Sequence, residues 1–136
     1  MANYYAYVRT NYFHVNNAED FKKFIATVSS SEGYKVELFE EKDKSGTPIF
    51  GFGWQGQPSF PDDESYEGII EVLAGFVSDD DAIIITEVGH EKLNYLVGEA
   101  RSITSKEIRY ITISDLAIKT ARKLLNKPDW ETKNEY

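Results

Sequence analysis

The sequence predicts an α+β fold: a largely antiparallel sheet of about six strands with three helices, in the order β-α-β-β-α-β-β-β-α, as a single domain over residues 1–136. Three observations carry this expectation. Apolar residues switch between period two and period 3.6 along the chain. Polar clusters rich in Gly, Pro, Asp and Ser mark the switches, and the length suits one core rather than two.

From Tyr4 to Val15 the chain is aromatic and β-branched, with Ala6, Val8 and Thr10 alternating against Tyr5, Tyr7 and Arg9, which predicts a long strand. Asn17 then offers an N-cap, and Phe21, Phe24, Ile25 and Val28 recur at i, i+3, i+4 and i+7. That is an amphipathic helix, closed by the turn formers Ser29–Gly33. Tyr34, Val36 and Leu38 alternate with Lys35, Glu37 and Phe39 in a second strand reaching Glu41, and the polar loop Lys42–Thr47 returns the chain as a third, Pro48–Trp54. Two prolines make Gln55–Ser65 a loop whose Asp62–Ser65 end caps a second helix, with Ile69, Val72, Leu73 and Phe76 as its core stripe.

After the acidic turn Ser78–Asp81, strands over Ala82–Val88, Leu93–Ile103 and Ile108–Ile113 form a meander with turns at Gly89–Lys92 and Thr104–Glu107. Ser114 or Asp115 is expected to cap a last helix in which Ala117, Ala121, Leu124 and Leu125 share a face, stopped by Lys127-Pro128. The first six elements match a ferredoxin-like split βαβ core, which the added hairpin and C-terminal helix extend.

Composition narrows function by exclusion. The absence of cysteine removes thiol nucleophiles, thiolate metal sites and disulfides, and fits a reducing compartment. The opening MANYYAYVRT has no apolar signal-peptide stretch, and no apolar run approaches the roughly 20 residues that span a bilayer, so a cytoplasmic protein without membrane partners is expected. Charge is unevenly placed: residues 1–91 hold 6 basic and 17 acidic side chains, −11, whereas residues 92–136 hold 9 and 6, +3. An acidic surface of this kind repels nucleic acid and attracts basic proteins.

The acids group as Glu37/Glu40/Glu41/Asp43, Asp62/Asp63/Glu64/Glu67/Glu71 and Asp79/Asp80/Asp81, each near an element end. If such ends converge, their carboxylates form one negative face, and Asp62, Asp63, Glu64, Asp79, Asp80 and Asp81 become candidate contacts to a basic partner, with Trp54 and Phe60 as apolar anchors. Separate helix caps and solvated turns are the plainer account.

Gly51-Phe52-Gly53-Trp54-Gln55-Gly56 has the letters of a dinucleotide-binding loop, but Pro58 and Pro61 prevent the helix that motif must open. On a third strand after β-α-β, the same residues also resemble the middle of an RNA-recognition pattern. Tyr5, Tyr7, Phe52 and Trp54 would then be stacking platforms, although Phe50 stands where a basic residue belongs. Glu87, His90 and Glu91 lie within five residues and raise the question of an acid/base or metal site. His14 and His90 are the only histidines, and neither has a second histidine at ligand spacing. With no G-x-S-x-G and no P-loop, a non-enzymatic protein without a cofactor is expected.

The segments Asn3-Tyr4-Tyr5-Ala6, Arg9-Thr10-Asn11-Tyr12-Phe13 and Gly89-His90-Glu91-Lys92-Leu93-Asn94-Tyr95 resemble small acidic proteins of unassigned function carried by phages and conjugative elements of Gram-positive bacteria, over most of the chain. The resemblance implies an accessory gene opposing host defence and no catalytic site. Joined to the acidic clusters, it makes the expected function that of an anti-CRISPR-type inhibitor covering the basic groove of a host nuclease complex, with an RNA-recognition-like single-strand binder as the alternative.

Overall fold

The computed structural model describes residues 5–29, 36–55, 66–91 and 95–132. Its elements are β1 (Tyr5–Thr10), α1 (Ala18–Ser29), β2 (Glu37–Lys42), β3 (Pro48–Gln55), α2 (Tyr66–Phe76), β4 (Ile83–Glu91), β5 (Tyr95–Ile103), β6 (Ile108–Thr112) and α3 (Ile113–Leu125). All neighbouring strands are antiparallel, in the spatial order β2-β3-β1-β4-β5-β6. The first four strands reproduce the interleaved order of the ferredoxin-like core, and β5 and β6 extend it beyond β4.

Alternation decides which face each strand buries. Ala6, Val8 and Thr10 of β1, Phe50, Phe52 and Trp54 of β3, and Ile83 and Ile85 of β4 point to one side, where α1 and α2 cover them. Rings hold α1 down: Phe21 sits 5.6 Å from Phe13, 5.6 Å from Phe50 and 5.7 Å from Phe76. Asn17 caps α1 as expected, its Oδ1 accepting from the Asp20 N–H at 3.1 Å.

Several elements depart from the sequence reading. β1 ends at Thr10 instead of running to Val15: the Asn11 N–H still donates to the Ile84 carbonyl at 3.3 Å, but toward β4 its side chain takes the place of its carbonyl. Its Nδ2 donates to the Ala82 carbonyl at 3.0 Å and its Oδ1 accepts from the Ile84 N–H at 2.8 Å. One residue is thereby gained, so Phe13 turns inward after Thr10 and bridges to Phe50. In α2 the buried stripe is Ile69, Ile70, Leu73 and, just beyond it, Val77, while Val72 is exposed. Thr112 caps α3 in place of Ser114 or Asp115, its Oγ1 accepting from the Asp115 N–H at 3.0 Å. Asn126 closes that helix in the left-handed conformation, φ 54°.

β4 continues to Glu91, so Gly89, His90 and Glu91 belong to a strand rather than a turn. The loop and helix cap expected over residues 56–65, with Phe60, Asp62, Asp63 and Glu64, fall outside the described residues.

Candidate functional site

Among the described residues a concentrated set of polar contacts lies at the end of the sheet where β1 stops, β2 turns into β3 and α2 leads into β4. His14 stands between these connections, half-buried. Its Nδ1 lies 2.8 Å from Asp81 Oδ2 and its Nε2 lies 2.7 Å from Asp43 Oδ2. The His14 backbone N–H donates to the same Asp81 oxygen at 2.8 Å. Both carboxylates are fixed from behind: Asp43 Oδ1 accepts from Ser45 and Thr47 N–H at 2.8 and 2.9 Å, and Asp81 Oδ1 accepts from the Ala82 N–H at 2.8 Å.

A carboxylate at each ring nitrogen requires both nitrogens to donate, which is the imidazolium form. The titrations move accordingly. Hydrogen bonds to Asp43 and then Asp81 raise the His14 pKa above 6.5, outweighing desolvation. The His14 ring, with the Thr47 and Ser45 N–H groups, lowers the Asp43 pKa. Burial pushes Asp81 up, but the backbone and ring of His14 and the Ala82 N–H outweigh it and leave its pKa lowered.

The signs define a window. A raised histidine contributes stability that is complete below its unfolded pKa near 6.5 and is lost as pH rises through the folded value; lowered carboxylates contribute above about 3.8 and lose it on acidification. The melting temperature is therefore expected to fall between pH 6 and pH 8.5 in thermal scans, and His14→Gln to flatten that dependence. An unchanged slope in the variant would show that the three-way contact does not form in solution.

Two acidic clusters distant in sequence meet here. Asp43 belongs to the first and Asp81 to the third, and one imidazole joins them. Asp79 and Asp80 are exposed beside Asp81, and Glu19 and Asp20, in the first turn of α1, begin just after Asn16, whose N–H bonds the Phe76 carbonyl. The rest of the first cluster disperses: Glu37 and Glu41 face the side of the sheet away from α1 and α2, and Glu40 pairs with Lys22 at 2.9 Å.

The apolar anchor expected at Trp54 is not at the surface. Trp54 is 8% exposed and Phe52 is 3% exposed, stacked at 6.2 Å beneath the helices. Strand parity is the reason: Phe50, Phe52 and Trp54 face inward, so Gly51 and Gly53 take the open side. The same parity removes Phe52 and Trp54 as stacking platforms for single-stranded RNA. Tyr7 does lie on the open face, 65% exposed; Tyr5 shares its parity, although its side chain lies outside the described residues.

The glycines have a packing role. A Cβ on Gly53 would stand 2.6 Å from the Val8 carbonyl oxygen, so this residue lets β3 approach β1. Across the bare strand Arg9 reaches from β1 to β2 and stacks its guanidinium 4.1 Å from the Phe39 ring centroid.

Glu87 and His90 do not form one site. Glu87 has the inward parity of Ile83 and Ile85, whereas His90 is exposed on the opposite face; the Glu91 side chain lies outside the described residues. Glu87 instead stands across from Glu99, whose carboxylate accepts from the Tyr110 hydroxyl and meets Arg101 Nη1 at 3.5 Å. Arg101 also lies 4.9 Å over the Tyr110 ring, and this cation offsets the like-charge pairing of the two glutamates.

Among the described residues no group of three or more His, Asp or Glu side chains is placed to hold a metal ion, and no helix is long and apolar enough to cross a membrane. No protein-family model, curated protein or solved structure matches the chain, so the reading of its surface stands on its own residues.

Proposed function

We propose that the chain is a non-enzymatic binding module that presents an acidic end to a basic surface of another protein, as an inhibitor of a host nucleic-acid-binding defence complex would. The observation that supports this reading most is the gathering of Asp43 and Asp81 on His14, which brings one acid of the first cluster to the third, at the end where Asp79, Asp80, Glu19 and Asp20 also lie. Carboxylates so fixed compete with phosphates for lysine and arginine, and such contacts speed association and weaken with salt. The pinned pair shapes the end, while the exposed acids make the contacts.

The test is a gel-shift titration in which the chain competes with target DNA for purified RNA-guided nuclease complexes. Competition is expected at about 50 mM salt and is expected to weaken at least tenfold by about 300 mM, within the range over which screening shortens from beyond to below the size of the contact. Asp79→Lys/Asp80→Lys is expected to lose a further tenfold or more. Undiminished competition by this variant would overturn the assignment of the acidic end.

A further inference from the structure

The two carboxylates that flank His14 are not held alike. Asp81 is tied to the His14 segment through the main chain as well as the ring: its Oδ2 accepts from the His14 N–H at 2.8 Å, and the Ser78 N–H donates to the His14 carbonyl at 3.0 Å. The Asn16 N–H, donating to the Phe76 carbonyl at 2.9 Å, extends the same seam.

Asp43 belongs to a turn that closes on itself. Its Oδ1 accepts from the Ser45 and Thr47 N–H groups, its N–H donates to the Thr47 carbonyl at 2.9 Å, and its carbonyl accepts from the Gly46 N–H at 3.0 Å. Among the described residues, the hydrogen bond that joins this turn to another part of the chain is the one to His14 Nε2. Behind the turn the hairpin is next tied at Glu40, to Lys22, and at Phe50, to Phe13.

The charges that face the ring are Asp43 in the turn and Asp81 in the connection between α2 and β4. Asp79 and Asp80 precede Asp81, Lys44 follows Asp43, and Glu19 and Asp20 open α1, all of them exposed. A neutral imidazole has one N–H for the two carboxylates. If Nδ1 gave up its proton, a bare lone pair would face Asp81 Oδ2 at 2.8 Å, and the N–H of the same histidine pins that oxygen in place. If Nε2 gives it up, the lone pair faces Asp43 Oδ2 at 2.7 Å, an oxygen on a turn that can swing away with its own bonds intact. The second course relieves an unmade hydrogen bond by moving a turn instead of a strand junction, so it costs less.

We propose that His14 is a pH-operated latch. Charged, it clasps the β2–β3 turn to the α2–β4 connection; on losing the Nε2 proton it keeps Asp81 and releases Asp43 with residues 44–47. Opening delivers the Asp43 carboxylate to solvent and makes this end of the sheet one charge more negative. The latch goes beyond the binding role proposed above and is read on the chain alone, so either can fail without the other.

The experiment is nitrogen-15 NMR of the full chain from about pH 5.5 to about pH 9.5, which spans the ordinary histidine range and the region above it. The His14 ring signals are identified by their absence from His14→Gln. Nε2 is expected to lose its proton while Nδ1 keeps its own. Across the same midpoint the order parameters of Lys44, Ser45 and Gly46 are expected to fall from about 0.85 to below about 0.6, with Asp81 and Ala82 staying at about 0.85. Asp43→Asn is expected to move the midpoint to lower pH, because it removes a charge that favours the imidazolium. Proton loss from Nδ1, a turn equally ordered on both sides of the midpoint, a ring still protonated at the top of the range, or an unshifted midpoint in Asp43→Asn would each overturn the latch.

Discussion

Phe21→Ala is expected to lower the unfolding free energy by about 3–5 kcal/mol, the range for removing a fully buried phenylalanine from a core that cannot collapse around the void. The ring is wholly inaccessible and contacts Phe13, Phe50, Phe52 and Phe76 at centroid distances from 5.6 to 6.4 Å. Those rings come from the segment after β1, from β3 and from the end of α2, so one cavity loosens three connections at once. A domain of this size has about 5–15 kcal/mol to lose. Urea unfolding followed by circular dichroism measures the change, with Phe24→Ala as the comparison because Phe24 is only half-buried. A loss below about 1 kcal/mol at Phe21 would mean that the ring cluster is not the centre of the core.

Gly53→Ala is expected to cost about 1–3 kcal/mol by overpacking. The added methyl would meet the Val8 carbonyl oxygen at 2.6 Å, and that oxygen is backbone, which cannot rotate aside as a side chain can. Relief requires β3 to move off β1, which strains the ladder that pairs Val8 with Trp54 and Arg9 with Gly53. Gly75→Ala is the opposite case: nothing lies within 4 Å of its added methyl, and α2 gains roughly 0.5–1 kcal/mol from the better helix former. Denaturant midpoints of the two variants should therefore move in opposite directions. Equal and small shifts would show that β1 and β3 separate freely.

Most of the architecture was legible because periodicity reports directly on burial. Phe21, Ile25 and Val28 recur every three or four residues and all three are buried; Ala6, Val8 and Thr10 alternate and face inward together. The same reasoning could have placed Phe52 and Trp54, since aromatics at 50, 52 and 54 interrupted by Gly51 and Gly53 leave the open side only glycine. The extent of β4 was harder to read, because alternation through Val88 carries no signal for where pairing with β5 ends. The His14 contact was missed because its partners lie 29 and 67 residues away and ligand spacing looks only along one element. A topological signal existed. In a β-α-β-β-α-β chain the exit of the first strand, the turn between the second and third strands and the entry to the fourth strand share one end of the sheet, and each here carries a titratable side chain.

The His14 contact also changes what the chain carries when it folds. The formal charge of −8 counts both histidines as neutral. With Asp43 and Asp81 on either side of the ring, folded His14 holds its proton more tightly than the unfolded chain does. Where the unfolded histidine would have begun to lose that proton, folding takes up protons from the buffer, and the folded molecule is less negative than a count with His14 neutral declares.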